Sequence, residues 1–185
     1  GSFAFAPAAQ AQDKKADQIL KDLAKVEMPA PPPREKQNDR QIVLEYFRLR
    51  QEAMTRRAEL IGELYKAEPN HPKLIELLPE RWQALMGQGP EGLKEELSQV
   101  AKNAKDSKLK VEASYWSTII TLRANMNKPD VMLKAVDEFT KLAPKDERAA
   151  ILLYSVGTQL SDPAEQAKLY KKVVKDFPES RVAKM

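Results

Sequence analysis

Three segments of this sequence finish in the same way. Leu64-Tyr65-Lys66-Ala67-Glu68-Pro69, Phe139-Thr140-Lys141-Leu142-Ala143-Pro144 and Val173-Val174-Lys175-Asp176-Phe177-Pro178 each close a helix-forming run on proline. Proline has no N–H for the preceding turn and drives the residue before it out of helical geometry, so each of these positions dictates where a helix stops. Prolines at 29, 31–33, 72, 90, 129 and 163 punctuate the rest of the chain. Between them, Ala, Leu, Lys, Arg and Glu make up about half of all residues, while the β-branched residues that strands need are few. Good helix formers cut into helix-length blocks give antiparallel hairpins. The fold class expected is all-α, and a β-sandwich, a barrel or a Rossmann domain is excluded.

Pro144 and Pro178 stand 34 residues apart, the period of a tetratricopeptide helix pair. With Pro144 as a closing proline, Trp116 falls on that motif's early tryptophan position, Ile119 on the following leucine, and Val136 and Phe139 on second-helix core positions. With Pro178 as the next, Leu153, Tyr170 and Val173 fall on core positions. Ile120 replaces the motif's glycine and Ala150 the second unit's tryptophan. The fit covers about residues 113–178. The expectation is a tetratricopeptide-like α-solenoid of antiparallel helical hairpins, irregular in its N-terminal half, because the long helix read at 39–67 runs through what would be an inter-helix turn.

Along the chain, Ile19, Leu20, Leu23 and Val26 mark a short amphipathic helix within 12–28. A Pro-rich linker at 29–37 favours an extended spacer and would leave that helix loosely tethered. From 38 to 185 the chain reads as one helical-repeat domain. Asn38 or Asp39 caps its first helix, in which Ile42, Tyr46, Leu49, Ala53, Leu60, Ile61 and Leu64 are spaced as one buried stripe. Lys73–Met86 follows, with Pro79 kinking or dividing it, and Pro90 suits the first turn of a helix at 91–105. Further helices are expected at 107–125, 131–142 and 146–160. Asp162-Pro163-Ala164-Glu165 is a start signal, and 179–185 reads as the opening of another helix, the repeat domain being truncated there.

The chemical repertoire is narrow. There is no cysteine, hence no thiolate nucleophile, disulfide or Cys-ligated metal. The one histidine, His71, lies in a polar turn, and the pairs Glu95-Glu96 and Asp137-Glu138 point to different helix faces, unlike a general acid/base dyad. Trp82 and Trp116 sit among aliphatics as core residues. No phosphate-binding loop, nucleophile elbow or zinc-protease motif occurs. The expectation is a non-enzyme with no cofactor and no metal. A net charge of +4 is interspersed along the chain, so nucleic acid is not an expected partner, and no apolar run is long enough for a transmembrane segment. What remains is binding of a protein or peptide, with homo-oligomerisation as a further use. On the repeat alignment the concave face carries Ser114, Ser117, Thr121 and Asn125 from one helix and Arg148, Ser155 and Gln159 from the next, the candidate groove.

Residues Phe3–Ala11 carry no charge, and Ala9-Gln10-Ala11 fits a small-x-small cleavage site, so 1–11 read as the end of a secretory signal and the protein as exported, periplasmic or of the cell envelope. The segment Pro163–Lys184, with Tyr170, Val173, Phe177-Pro178 and Ser180, resembles the helical region preceding the thioredoxin-like domain in exported thiol-disulfide oxidoreductases of the TlpA/ResA type, especially the long planctomycete forms. That resemblance implies a non-catalytic helical part, with a C-x-x-C redox domain encoded beyond Met185 and no redox residue within this chain. The same pattern occurs in periplasmic tetratricopeptide adaptors of the BamD and Tol-Pal-associated kind, which makes a stand-alone envelope adaptor or assembly protein the alternative.

Overall fold

A computed structural model describes residues 8–89 and 91–185, and among these every regular element is helical. They are α1 (Ala8–Lys25), α2 (Arg40–Ala67), α3 (Leu74–Gln88), α4 (Glu91–Asn103), α5 (Ser107–Ala124), α6 (Pro129–Leu142), α7 (Glu147–Gly157) and α8 (Pro163–Asp176), with 3-10 turns at Arg34–Lys36 and Arg181–Lys184. The chain is all-α, as its composition requires. Residues 1–7 of the inferred signal end, and Pro90, lie outside the described residues.

The three proline-closed ends share one geometry. Glu68, Ala143 and Phe177 each donate their N–H to the carbonyl four residues back, on Leu64, Phe139 and Val173, at 2.8, 2.9 and 2.9 Å. Each then leaves helical space at φ of −143°, −133° and −135° with ψ of 83°, 70° and 56°. This is the backbone form that the following proline ring imposes. Helix starts are equally local. The Asp39 carboxylate accepts from the N–H groups of Gln41 and Ile42, Asp146 from Arg148 and Asp162 from Ala164, with Pro163 in the first turn of α8. Pro79 neither ends nor divides α3, which runs through it. Gly89 closes α3 at φ 127°, a conformation that side chains rarely adopt.

The described chain divides into two compact units, one up to Leu93 with Ala104–Asp106, the other Lys94–Asn103 with Ser107–Met185. In the first, α2 packs against both α1 and α3. Ile19 and Leu23 of α1, Leu60, Ile61 and Leu64 of α2, and Leu74, Leu78 and Trp82 of α3 are buried there. Helix α1 is thus packed, and the Pro-rich stretch does not leave it loosely tethered. Arg57 fixes these helices to one another, bound through two nitrogens to the Glu80 carboxylate while its third donates to the Leu23 carbonyl at 3.3 Å. The expected stripe on α2 is only half realised: Leu49 is exposed, as are Leu44 and Phe47, and Ile42, Tyr46 and Ala53 are half-buried. The fully buried residues of this 28-residue helix, Ala58, Leu60, Ile61, Gly62 and Leu64, all lie in its C-terminal third, so the packing of α1 and α3 encloses that end and not the whole stripe.

In the second unit α5, α6, α7 and α8 pack each on the next. Leu122, Met132, Val136, Phe139, Leu152, Leu153, Val156, Val173 and Phe177 form its core. Trp116, expected in the core like Trp82, is half-buried, edge-on to Tyr115 with centroids 6.3 Å apart. Gly157 allows a close approach, because a Cβ there would lie 2.6 Å from the Tyr170 ring. The α-helix expected from 179 is instead a 3-10 turn, in which the buried Ser180 accepts the Ala183 N–H with both its carbonyl and its hydroxyl oxygen, each at 3.2 Å, and so tightens the turn.

Phe139→Ala should destabilise the second unit by about 3–5 kcal/mol, read from urea unfolding, because it empties a fully buried ring site. Gly157→Ala should cost about 1–3 kcal/mol in the same measurement, since the added methyl must displace Tyr170.

Candidate functional site

Helix α5 has two working faces. Val111, Tyr115, Ile119 and Leu122, at spacings of three and four, pack on the core of the second unit. Ser114, Ser117, Thr118 and Thr121 follow the same spacing one step round the helix and line a groove of about 260 Å³. Leu97, Ser98, Ala101 and Lys102 of α4 form its opposite wall, and Ala135 and Glu138 of α6 complete it.

The hydroxyls in this groove are of two kinds. Thr118 and Thr121 donate to the carbonyls of Ser114 and Ser117, both at 2.9 Å, which leaves only their oxygen lone pairs for a ligand. Ser98, Ser114 and Ser117 have no side-chain partner among the described residues and can both donate and accept. Lys102 and Glu138 bring opposite charges to the same groove, and neither is in an ion pair among the described residues. The arrangement can therefore hydrogen-bond amide groups along its length and receive a charge of either sign.

The candidate residues read from the sequence separate here. Ser114, Ser117 and Thr121 come together in the groove. Asn125, four residues past Thr121, donates to the Thr121 carbonyl at 2.9 Å and closes that end of the helix. Ser155 and Gln159 are exposed on or just past α7 and do not line the groove. Arg148 is engaged elsewhere. Its Nη1 meets the two Glu112 carboxylate oxygens at 2.5 and 2.8 Å, its Nε and Nη2 bind Asp146, and its guanidinium lies 4.3 Å from the Tyr115 ring centroid. It ties α7 to α5 as a packing residue. Ser98, Ala101, Lys102, Ala135 and Glu138 were not read from the sequence, because a groove wall on another helix leaves no local signal.

The Arg148 guanidinium, donating to Asp146, holds that carboxyl below its ordinary value, aided by the Arg148 N–H and opposed by partial burial. His71 takes part in a local turn only, its Nδ1 accepting the Lys73 N–H at 3.1 Å. Among the described residues no group of three or more His, Asp and Glu stands together as metal ligands would, and no helix is long and apolar enough to cross a membrane.

Compared with protein-family models, with curated proteins and with solved structures, the chain has no match in any of the three.

The Asp146 shift has a definite pH consequence. A carboxyl held lower in the folded than in the unfolded chain contributes stability above the unfolded value, near 4, and loses it as pH falls through the folded one. Melting temperature should therefore fall as pH drops below about 4 in the natural chain and fall less in Asp146→Asn, which has no proton to take up at this site.

Proposed function

We propose that this chain is a non-catalytic protein-interaction module that holds an extended peptide segment in the groove between α4 and α5. The observation that carries this reading is the row of Ser114, Ser117, Thr118 and Thr121, facing Ser98 and flanked by Lys102 and Glu138. The serine hydroxyls, which both donate and accept, and the two threonine oxygens, which can still accept, suit the N–H and C=O groups of a peptide main chain, and the flanking charges suit polar side chains or a terminus. Within the same proposal, α5 with α6 and α7 with α8 are two tetratricopeptide-like units. The 34-residue spacing of Pro144 and Pro178, the shared geometry of the turns before them, and the consecutive packing of the four helices support it.

We further propose that the module is the helical part of an exported TlpA/ResA-type thioredoxin-like protein. The uncharged, alanine-rich start and the Tyr170, Val173, Phe177-Pro178, Ser180 pattern support this. In such a protein the module would position partners for a redox domain elsewhere in the polypeptide. Reading the gene beyond Met185 tests it directly: a C-x-x-C pair within about 100 residues, the scale of one domain, is the expected result. Its absence would favour the stand-alone envelope adaptor.

For the groove, a displayed-peptide library panned against the full chain should yield binders whose affinity falls at least about tenfold in Ser117→Trp, which fills the groove from an exposed position. Arg148→Ala should instead lower stability and leave those affinities within about twofold. Binders indifferent to Ser117→Trp would count against the reading.

A further inference from the structure

A second surface of the same unit lies apart from the hydroxyl groove and has a different chemistry. Tyr154 of α7, Tyr170, Val173 and Val174 of α8, and Val182 and Ala183 of the C-terminal 3-10 turn line a cleft of about 300 Å³. Its lining is apolar but for the two phenols, and its size is at the small end for a ligand site, room for side chains more than for a cofactor. One wall is rigid. The rings of Tyr154 and Tyr170 stack at 5.2 Å and 27°, and Tyr170 can lie that close to α7 because residue 157 has no side chain. Val174 stands at the cleft edge and is 53% exposed.

The unpaired basic residues next to this cleft outnumber the unpaired acidic ones. Lys171 and Lys175 lie one turn apart on the ridge of α8 beside Val174, and Arg181 immediately precedes Val182 on the other side. None of the three is in an ion pair among the described residues, whereas Lys168, Lys172 and Lys184 are engaged by Glu165, Asp137 and Glu179. Asp176, two positions beyond Val174, projects across the helix from it. The hydroxyls of Tyr154 and Tyr170 also have no partner among the described residues, and each can donate to a carboxylate.

We propose that this cleft docks an acidic amphipathic helix of a partner protein, its aliphatic residues on the tyrosine pair and Val174 and its carboxylates on Lys171, Lys175 and Arg181. A helix is the fitting occupant because it satisfies its own backbone hydrogen bonds, and this cleft, unlike the hydroxyl groove, has only the two phenols to offer a peptide main chain. The unpaired cations select acidic over basic helices, since a basic one would leave like charges facing each other.

The probe is a labelled synthetic helix of about 18 residues made of Leu, Ala and Glu, with leucine at i, i+3, i+4 and i+7, titrated into the full chain by fluorescence anisotropy. It should bind at least about tenfold more tightly than the same peptide with Lys for Glu or with its order scrambled, and weaken as salt rises from about 50 to 300 mM. Lys171→Glu with Lys175→Glu should reduce affinity at least about tenfold, and Val174→Asp as much, both being exposed positions whose variants should melt as the natural chain does. Ser117→Trp should leave this binding unchanged, which separates it from the groove. Equal binding of the lysine peptide, or an affinity unmoved by the charge reversal, overturns the proposal. A dimer in sedimentation that Val174→Asp dissolves, with no binding of the acidic helix, also overturns it and assigns the surface to a second copy of the chain.

Discussion

Helices of 11 to 18 residues, the range of α5 to α8, are marginal in water until an apolar face is covered. In the second unit that cover comes from one shared cluster. Met132, Val136 and Phe139 present a fully enclosed face of α6, Leu153 and Val156 the facing side of α7, and Val173 and Phe177 the contribution of α8. Phe139 also meets the Tyr115 ring at 5.8 Å and lies 5.9 Å from the Arg148 guanidinium. Arg148 in turn joins α7 to Glu112 on α5, so one aromatic and one arginine couple three helices whose own propensities would not hold them in register.

That packing also sets what the unit offers to other molecules. Because α5 commits Tyr115, Ile119 and Leu122 inward, its Ser114, Ser117, Thr118 and Thr121 face is turned toward α4, and the groove follows. Because Gly157 lets Tyr170 approach α7, the tyrosine pair stands as a flat wall at the other end of the helix series, and the apolar cleft follows. The two surfaces differ in kind: one presents hydroxyls with a charge of each sign, the other aliphatic and aromatic groups.

Much of the fold is legible in the residues because its punctuation is local. Proline's missing N–H stops α2, α6 and α8 at the residues expected, and aspartate side chains at 39, 146 and 162 reach the first free N–H groups of α2, α7 and α8. The site was less legible. Ser114, Ser117 and Thr121 lie on one helix face by spacing alone, so their grouping could be read. Arg148 was placed beside them by its position in the repeat, but a guanidinium with two carboxylates and a ring within reach goes to those partners. Leu49 fits the spacing of a buried stripe on α2, yet spacing says nothing of whether a partner helix covers that turn.

By itself the sequence determined the helical class, the ends of most helices and the poverty of catalytic groups, because each depends on residues within a turn of one another. Only the tertiary structure decided which apolar faces are covered, that Arg148 is bound within the unit, and that Tyr154, Tyr170 and Val182, distant along the chain, line one cleft. Those outcomes depend on contacts between helices, where the placement of a neighbour and the absence of a single Cβ carry as much weight as periodicity.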